Sequence, residues 1–165
     1  MLEIVPENPE EHADQIEALY DATFGPGHFA KTAERLREGN ASLPDVTRVA
    51  IKDGKDVVGV CRLWPVRVGD GSVSCVLVGP VAVCPSMQGS RLGLTVTGEA
   101  IEAATKAGYD AALLVGITSY FAEIGFTIVQ PGQVKLPGPV DYARVMVRDL
   151  AMSGGGAALR GDVRV

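Results

Sequence analysis

The sequence predicts an α+β chain, a mixed sheet flanked by helices. Three observations carry this prediction. A strand and two helical patterns come first, three strand-type runs follow as a meander, and single helices then interleave with later strands. The even strand–helix alternation of a doubly wound fold does not develop. About six to seven strands and about four helices result.

"LEIVPEN" reads as the first strand. "PEEHADQIEALYDATF" is a helix with Ile16, Leu19 and Tyr20 on one stripe and Pro9 in its first turn. "GPGH" breaks it. "FAKTAERLREGN" predicts a second helix, with Phe29, Ala33 and Leu36 at helical spacing and Gly39-Asn40 as the stop. Residues 46–83 form the meander, turning at Asp53-Gly54 and at Gly69-Asp70-Gly71. Residues 90–109 are a helix with Leu92, Val96, Ala100, Ala103 and Ala104 on its apolar side and Gly108 at its end. "DAALLVG" is a strand buried on both faces. "TSYFAEIG" is a short helix capped by Thr118 or Ser119 and closed by Gly125. "FTIVQ" and "ARVMVRDL" are the last strands, joined by the loop "PGQVKLPGPVDY". Residues 1–150 make one domain. The glycine run "MSGGGAALRG" predicts a flexible tail over 151–165.

Composition narrows the function classes. Lys+Arg 15 against Asp+Glu 20 gives a net charge of −5, which argues against nucleic acid as the main partner. The longest apolar runs fall short of the ~18 residues of a membrane span. The first fifteen residues lack the basic and apolar regions of a secretory signal. Cys61, Cys75 and Cys84 form no C-x-x-C pair and fit reduced thiols in a cytoplasm. With only His12 and His28, no metal site is expected.

The segment "VSCVLVGPVAVCPSMQGSRLGL", residues 73–94, joins a strand to a helix through glycines. The first N–H groups of a helix carry partial positive charge, so such a joint can hold an anion. Gly89 and Gly93 allow close approach of a ligand; equally, they can be turn chemistry alone. The spacing is neither that of a P-loop nor G-x-G-x-x-G.

From about residue 47 to residue 130 the chain resembles the GNAT superfamily of acyl-CoA-dependent N-acyltransferases. Val81-Ala82-Val83-Cys84-Pro85 followed by Gln88-Gly89-Ser90-Arg91-Leu92-Gly93 resembles the family's acetyl-CoA motif, and "YFAEIGF" its second cofactor segment. "LLVG" and "LPGPVDYARVMVRDL" look most like the bacterial branch similar to YhbS. The resemblance implies a mostly antiparallel sheet splayed at one parallel strand pair, here residues 75–83 and 111–116. It implies acetyl-CoA as cosubstrate: pantetheine along Val81, Ala82 and Val83, pyrophosphate on the N–H groups of residues 88–93, and Leu94, Ser119 and Phe121 nearby. A small-molecule amine or a protein amino group would be acetylated in the cytoplasm. A CoA-binding module without turnover is the alternative, and a homodimer stays open.

Two departures bear on activity. Arg91 replaces the central motif glycine. A first helical turn has φ < 0, so arginine fits there, where it can pair with phosphate, crowd it, or lie exposed. The family's proton donor is a tyrosine four residues before the "GF" glycine; here that position is Phe121. Tyr120 is adjacent but rotated by ~100° on a helix. It is either the acid or a packed aromatic, with water as the other proton source. Acceptor-side candidates are His28, Glu34, Arg62, Trp64, Glu123 and Tyr142. Cys84, at the end of the cofactor strand, reads as a packing thiol.

Overall fold

A computed structural model describes residues 1–25, 32–151 and 154–165. β1 spans Leu2–Pro6 and α1 spans Pro9–Phe24. The Asn8 side chain accepts from the Glu10 N–H, and Pro9 occupies the first turn, where no intrahelical N–H is needed. Ile16, Leu19 and Tyr20 are the buried stripe of α1, as the periodicity predicts. Of the predicted second helix, residues 29–31 lie outside the described residues. Its described part is a 3-10 turn, Thr32–Leu36, followed by a 2.9 Å ion pair between Arg37 and Glu34.

β2 (Arg48–Lys52), β3 (Asp56–Val68) and β4 (Cys75–Val83) pair antiparallel in chain order, which is the predicted meander. Asp53 and Gly54 both take positive φ at the first turn, the conformation a tight hairpin requires. α2 (Leu92–Lys106) leads into β5 (Ala111–Val115), which lies parallel to β4. α3 (Thr118–Phe121) follows. β6 (Thr127–Ile128), β7 (Val134–Lys135), β8 (Val145–Asp149), α4 (Gly155–Ala158) and β9 (Gly161–Arg164) complete the described elements. The sheet runs β1-β2-β3-β4-β5-β8-β6, with β9 pairing both β3 and β7. Along the main path β4–β5 is the parallel pair.

Helices cover both faces. α1 packs Ile16, Leu19 and Tyr20 on Val49, Val60 and Ala82. α2 packs Val96, Ala100, Ile101 and Ala104 on Cys61, Leu63, Val76 and Leu114. β5 is therefore buried on both sides, with Leu113 facing Leu36 and Leu114 facing α2. Each such Leu or Ile contributes about 1.5–3 kcal/mol by leaving water. α3 begins one residue earlier than predicted. Neither Thr118 nor Ser119 caps it; the Ile117 carbonyl accepts from the Tyr120 and Phe121 N–H groups. Among the described residues no helix is long and apolar enough to cross a membrane.

The expectation of a loosely held tail over 151–165 needs correction. β9 pairs with Arg67 and Val68 of β3, and Leu159 and Val163 are 1% and 3% exposed. The glycines serve close approach instead of freedom. A Cβ on Gly155 would sit 2.5 Å from the Asp110 carbonyl oxygen, and one on Gly156 would sit 2.9 Å from the Asp149 carboxylate. Gln133, itself buried, donates to the Gly156 and Leu159 carbonyls at 2.6 and 3.1 Å. Leu159→Ala is expected to lower unfolding free energy by about 2–5 kcal/mol, the usual range for a buried leucine. Urea denaturation measures this, and a loss under about 0.5 kcal/mol would return the segment to a surface tail.

Candidate active site

The site begins where two strands part. β4 and β5 pair from Cys75–Ala111 to Leu77–Leu113 and no further, although β4 continues to Val83. The divergence starts at a β-bulge. Cys61 pairs with Val81 and Leu63 with Val78, so Gly79 and Pro80 face the single residue Arg62. Gly79 has φ +108°, which a side chain would oppose. Both bulge carbonyls are held by aromatic side chains. Trp64 Nε1 donates to Gly79 O at 2.7 Å, and the Tyr20 hydroxyl donates to Pro80 O at 3.1 Å. Burial raises the Tyr20 phenol above its ordinary range, so it stays a donor. Beyond the bulge the Cys84 N–H donates to Val58 O at 2.8 Å. Antiparallel alternation then turns the N–H and C=O of Val81 and Val83 away from β3, toward the gap.

The gap is a cleft of about 780 Å³, within the size range of small-ligand sites. Val81, Val83, Gln88, Gly93 and Tyr120 line it on the α2 side. Gly79, Leu114, Gly116 and Phe121 line its middle. Thr23 and Phe24 of α1, with Arg35, Arg37, Pro139 and Arg144, complete the lining.

Tyr120 and Phe121 both face this cleft, which the predicted rotation did not anticipate. Each aromatic fills space left by a glycine. A Cβ on Gly93 would collide with the Tyr120 hydroxyl, and one on Gly116 would sit 2.6 Å from the Phe121 ring. The two rings meet edge to face at 5.0 Å. The Tyr120 hydroxyl thus lies beside the first turn of α2. Burial raises this phenol above its ordinary range, with the Leu94 backbone N–H and the Arg91 guanidinium offsetting part of the shift.

The other predicted cofactor residues separate. Ala82 is 1% exposed on the opposite face, against α1. Leu92 packs on Gly59 and Leu94 lies in the core beneath α2. Gly89 and Ser90 are exposed in the turn, where the Ser90 hydroxyl donates to the Met87 carbonyl. Gln88 Nε2 donates to Val83 O at 3.3 Å. Ser119 is exposed and lies outside the described lining. Arg91 differs from expectation twice. It is the residue before the helix, not within its first turn, and its φ is +66°, the left-handed region. Its guanidinium pairs with Glu123 at 2.8 Å.

The acceptor-side candidates are mostly engaged elsewhere. Arg62 pairs with Glu7 at 2.8 Å and Glu17 at 3.1 Å, under the Tyr20 ring. Glu34 pairs with Arg37, Glu123 with Arg91, and the Tyr142 hydroxyl accepts from the Leu136 N–H. His28 lies outside the described residues. Cys84 is half-buried rather than a core thiol, and Ser86 3.2 Å away lowers its pKa. Burial pushes Cys61 and Cys75 up to about 12. Among the described residues no group of three His, Cys, Asp or Glu could hold a metal. Sequence reasoning missed the Tyr20 and Trp64 clamps and the arginines of the cleft. Gly79-Pro80 inside a strand was the available signal, since that pair marks a bulge.

A parted parallel pair with a cleft leading to a helix start is the geometry expected of the family already compared, and the acetyltransferase (GNAT) family model matches residues 13–126. The chain belongs to the acetyltransferase (GNAT) family. Solved GNAT structures share its fold. The Escherichia coli N-acetyltransferase YhbS in complex with CoA superposes with a TM-score of 0.82 at 24% identity, covering 99% of this chain and 88% of that one. A Brucella melitensis acetyltransferase in complex with acetyl-CoA gives 0.68 at 23% identity, over 100% and 96%. Arabidopsis thaliana Naa50, bound to a bisubstrate analogue, gives 0.60 at 13%, over 89% and 97%. Among curated proteins no sequence matches the chain.

The position of Arg91 in the GNAT loop generates a prediction. A left-handed backbone costs a residue other than glycine about 1–2 kcal/mol, whereas an exposed ion pair contributes little. With the lost pair subtracted, a net gain of about 1 kcal/mol means that Arg91→Gly is expected to raise the melting temperature by roughly 2–4 °C, using ~2–4 °C per kcal/mol. A drop in differential scanning calorimetry would show that the Glu123 pair outweighs the backbone term.

Proposed function

We propose that this chain transfers the acetyl group of acetyl-CoA to the amino group of a small molecule or protein, in a bacterial cytoplasm. The observation that carries the reading is the cleft itself. It opens where β4 leaves β5, exposes the backbone of Val81 and Val83, and ends at the first turn of α2. The CoA and acetyl-CoA complexes of the GNAT structures above support the cosubstrate. The three free cysteines suit a reducing compartment.

The residues present fit this ligand. Val81 and Val83 offer backbone donors and acceptors for an amide-bearing arm lying beside β4, as a strand would. Of the N–H groups at residues 88–93, those of Gln88 and Ser90 bond within the turn, and the others offer an anion site for the pyrophosphate. Acetyl-CoA supplies the thioester carbonyl that a neutral amine attacks. The chain then has three tasks: align the amine, exclude water and supply a proton to the departing sulfur. Tyr120 is suited to the last, because its phenol remains protonated through the neutral range and its hydroxyl faces the cleft at the start of α2.

Three outcomes follow. CoA at a hundredfold excess over its Kd adds ~2.7 kcal/mol, so the melting temperature should rise by roughly 5–11 °C. No shift in ligand-free protein at millimolar CoA removes the reading. Tyr120→Phe is expected to lower kcat by about 10²-fold with the CoA shift retained; a silent substitution assigns the proton to water. The wild-type rate should rise with pH as the acceptor amine loses its proton. Because the Tyr120 phenol is raised, no falling limb is expected below the ordinary tyrosine value of about 10. CoA binding without thiol release for any amine tested would favour a binding module, for which Phe121 in the family's tyrosine position is the supporting feature.

A further inference from the structure

The cleft carries positive charge in its lining. Arg35, Arg37 and Arg144 line it, and no carboxylate stands among its described lining residues. The chain as a whole has a net charge of −5, so this is a local reversal of sign. Arg35 reaches across to the C-terminal loop, donating from Nη1 to Pro137 O at 2.7 Å. Arg144 comes from the end of the turn before β8, donating from Nε to Gly116 O at 3.3 Å. These bonds fix both side chains beside the cleft. A guanidinium has five N–H donors, and one described hydrogen bond on each leaves a fork available. Among the described residues neither has an acidic partner. Arg37 differs, being neutralised by Glu34 in a pair whose side chains are only 9% and 13% exposed.

We propose that the acceptor amine carries an anionic group, a carboxylate or a phosphate, held by Arg35 and Arg144. This rests on the acetyltransferase reading above and narrows it. Paired guanidinium forks match the planar or tetrahedral oxygens of such anions. The same positive field disfavours a protonated ammonium, which helps present the amine in its neutral form. A cationic diamine would meet repulsion at both ends. The cleft also has to take the pantetheine arm, so a small acceptor suits the remaining space. In the reaction the amine nitrogen bonds to the acetyl carbon while the C–S bond breaks, its electron pair going to sulfur. The proton lost by the amine is matched by the one gained by the thiolate, and the anionic group is unchanged.

Thiol release from acetyl-CoA, measured with the full chain, tests this on matched pairs. The probes are free amino acids against their carboxamides, phosphoethanolamine against ethanolamine, and putrescine as a dication. The anionic member of at least one pair is expected to exceed its neutral partner by about 10-fold or more in kcat/KM, and the winning pair identifies carboxylate or phosphate. Arg144→Gln and Arg35→Gln should each raise that acceptor's KM by about 10- to 100-fold, the scale of a charged hydrogen bond. The KM for acetyl-CoA should not move, and Arg144→Lys should recover part of the loss, which a merely structural arginine would not allow. Both positions are exposed, so unchanged melting temperatures check the folding of the variants. A further readout needs no turnover: the winning anionic probe should raise the melting temperature of CoA-saturated wild type and not of Arg35→Gln/Arg144→Gln. Preference for neutral amines or putrescine, with CoA stabilisation intact, overturns the inference alone. Failure of both CoA stabilisation and thiol release overturns the acetyltransferase reading and this one with it.

Discussion

The structure depends on the bulge at Gly79-Pro80. Without it β4 would continue beside β5 and the sheet would close. The extra residue bends β4 away, and the cleft is what remains between the strands. A bulge in mid-sheet leaves carbonyls without ladder partners, and buried ones are costly unless satisfied. Trp64 and Tyr20 satisfy them. Tyr20 also belongs to the buried stripe of α1, so the docking of that helix and the opening of the cleft are one event. Packing on one face of the sheet thereby shapes the ligand site that crosses it.

Arginines in this chain divide by the company they keep. Arg62 is largely buried, donates to Glu7 and Glu17, and lies near the Tyr20 ring. Its charge is absorbed where it sits, and it braces the residues behind the bulge. Arg91 is tied to Glu123 at the surface. Arg35 and Arg144 donate to main-chain carbonyls, which orients them without cancelling their charge. Both are exposed, so water solvates their charge without a buried partner. The sequence presents all four alike; only their neighbours distinguish them.

The meander, α1, α2 and β5 were legible because their apolar patterns agree with their turn signals, whereas the parting of β4 from β5 was implied only by the family resemblance. α1 matched down to Asn8-Pro9, whose chemistry is local. Short elements were not. β7 has two residues and no periodicity, and β9 follows a glycine run that composition reads as slack. Gly155 and Gly156 instead bring backbone against Asp110 and Asp149, a long-range need that no local signal carries. Within the site, β4 as a strand leading through a glycine turn into a helix was legible from its apolar run and the turn that follows. The conformation of Arg91 was not, because φ at the residue before a helix depends on how the preceding turn closes. The Met87-to-Ser90 turn closes so that this residue takes positive φ.

α3 shows how side-chain direction escapes a register argument. Counting ~100° per residue assumes a regular helix with side chains free to follow it. α3 is a four-residue turn running into a second 3-10 turn, Ala122–Ile124, so the count has little helix to act on. Two glycines on other elements decide the outcome. Gly116, just after β5, leaves the socket that takes the Phe121 ring, and Gly93, in α2, leaves the space that takes the Tyr120 hydroxyl. The sockets lie on either side of the parted strands, so both aromatics line the cleft although they are adjacent in sequence. A side chain at either glycine would displace its aromatic. The position of the one tyrosine hydroxyl in the described lining is thus set by missing atoms on β5's exit and α2's first turn, and not by α3 itself.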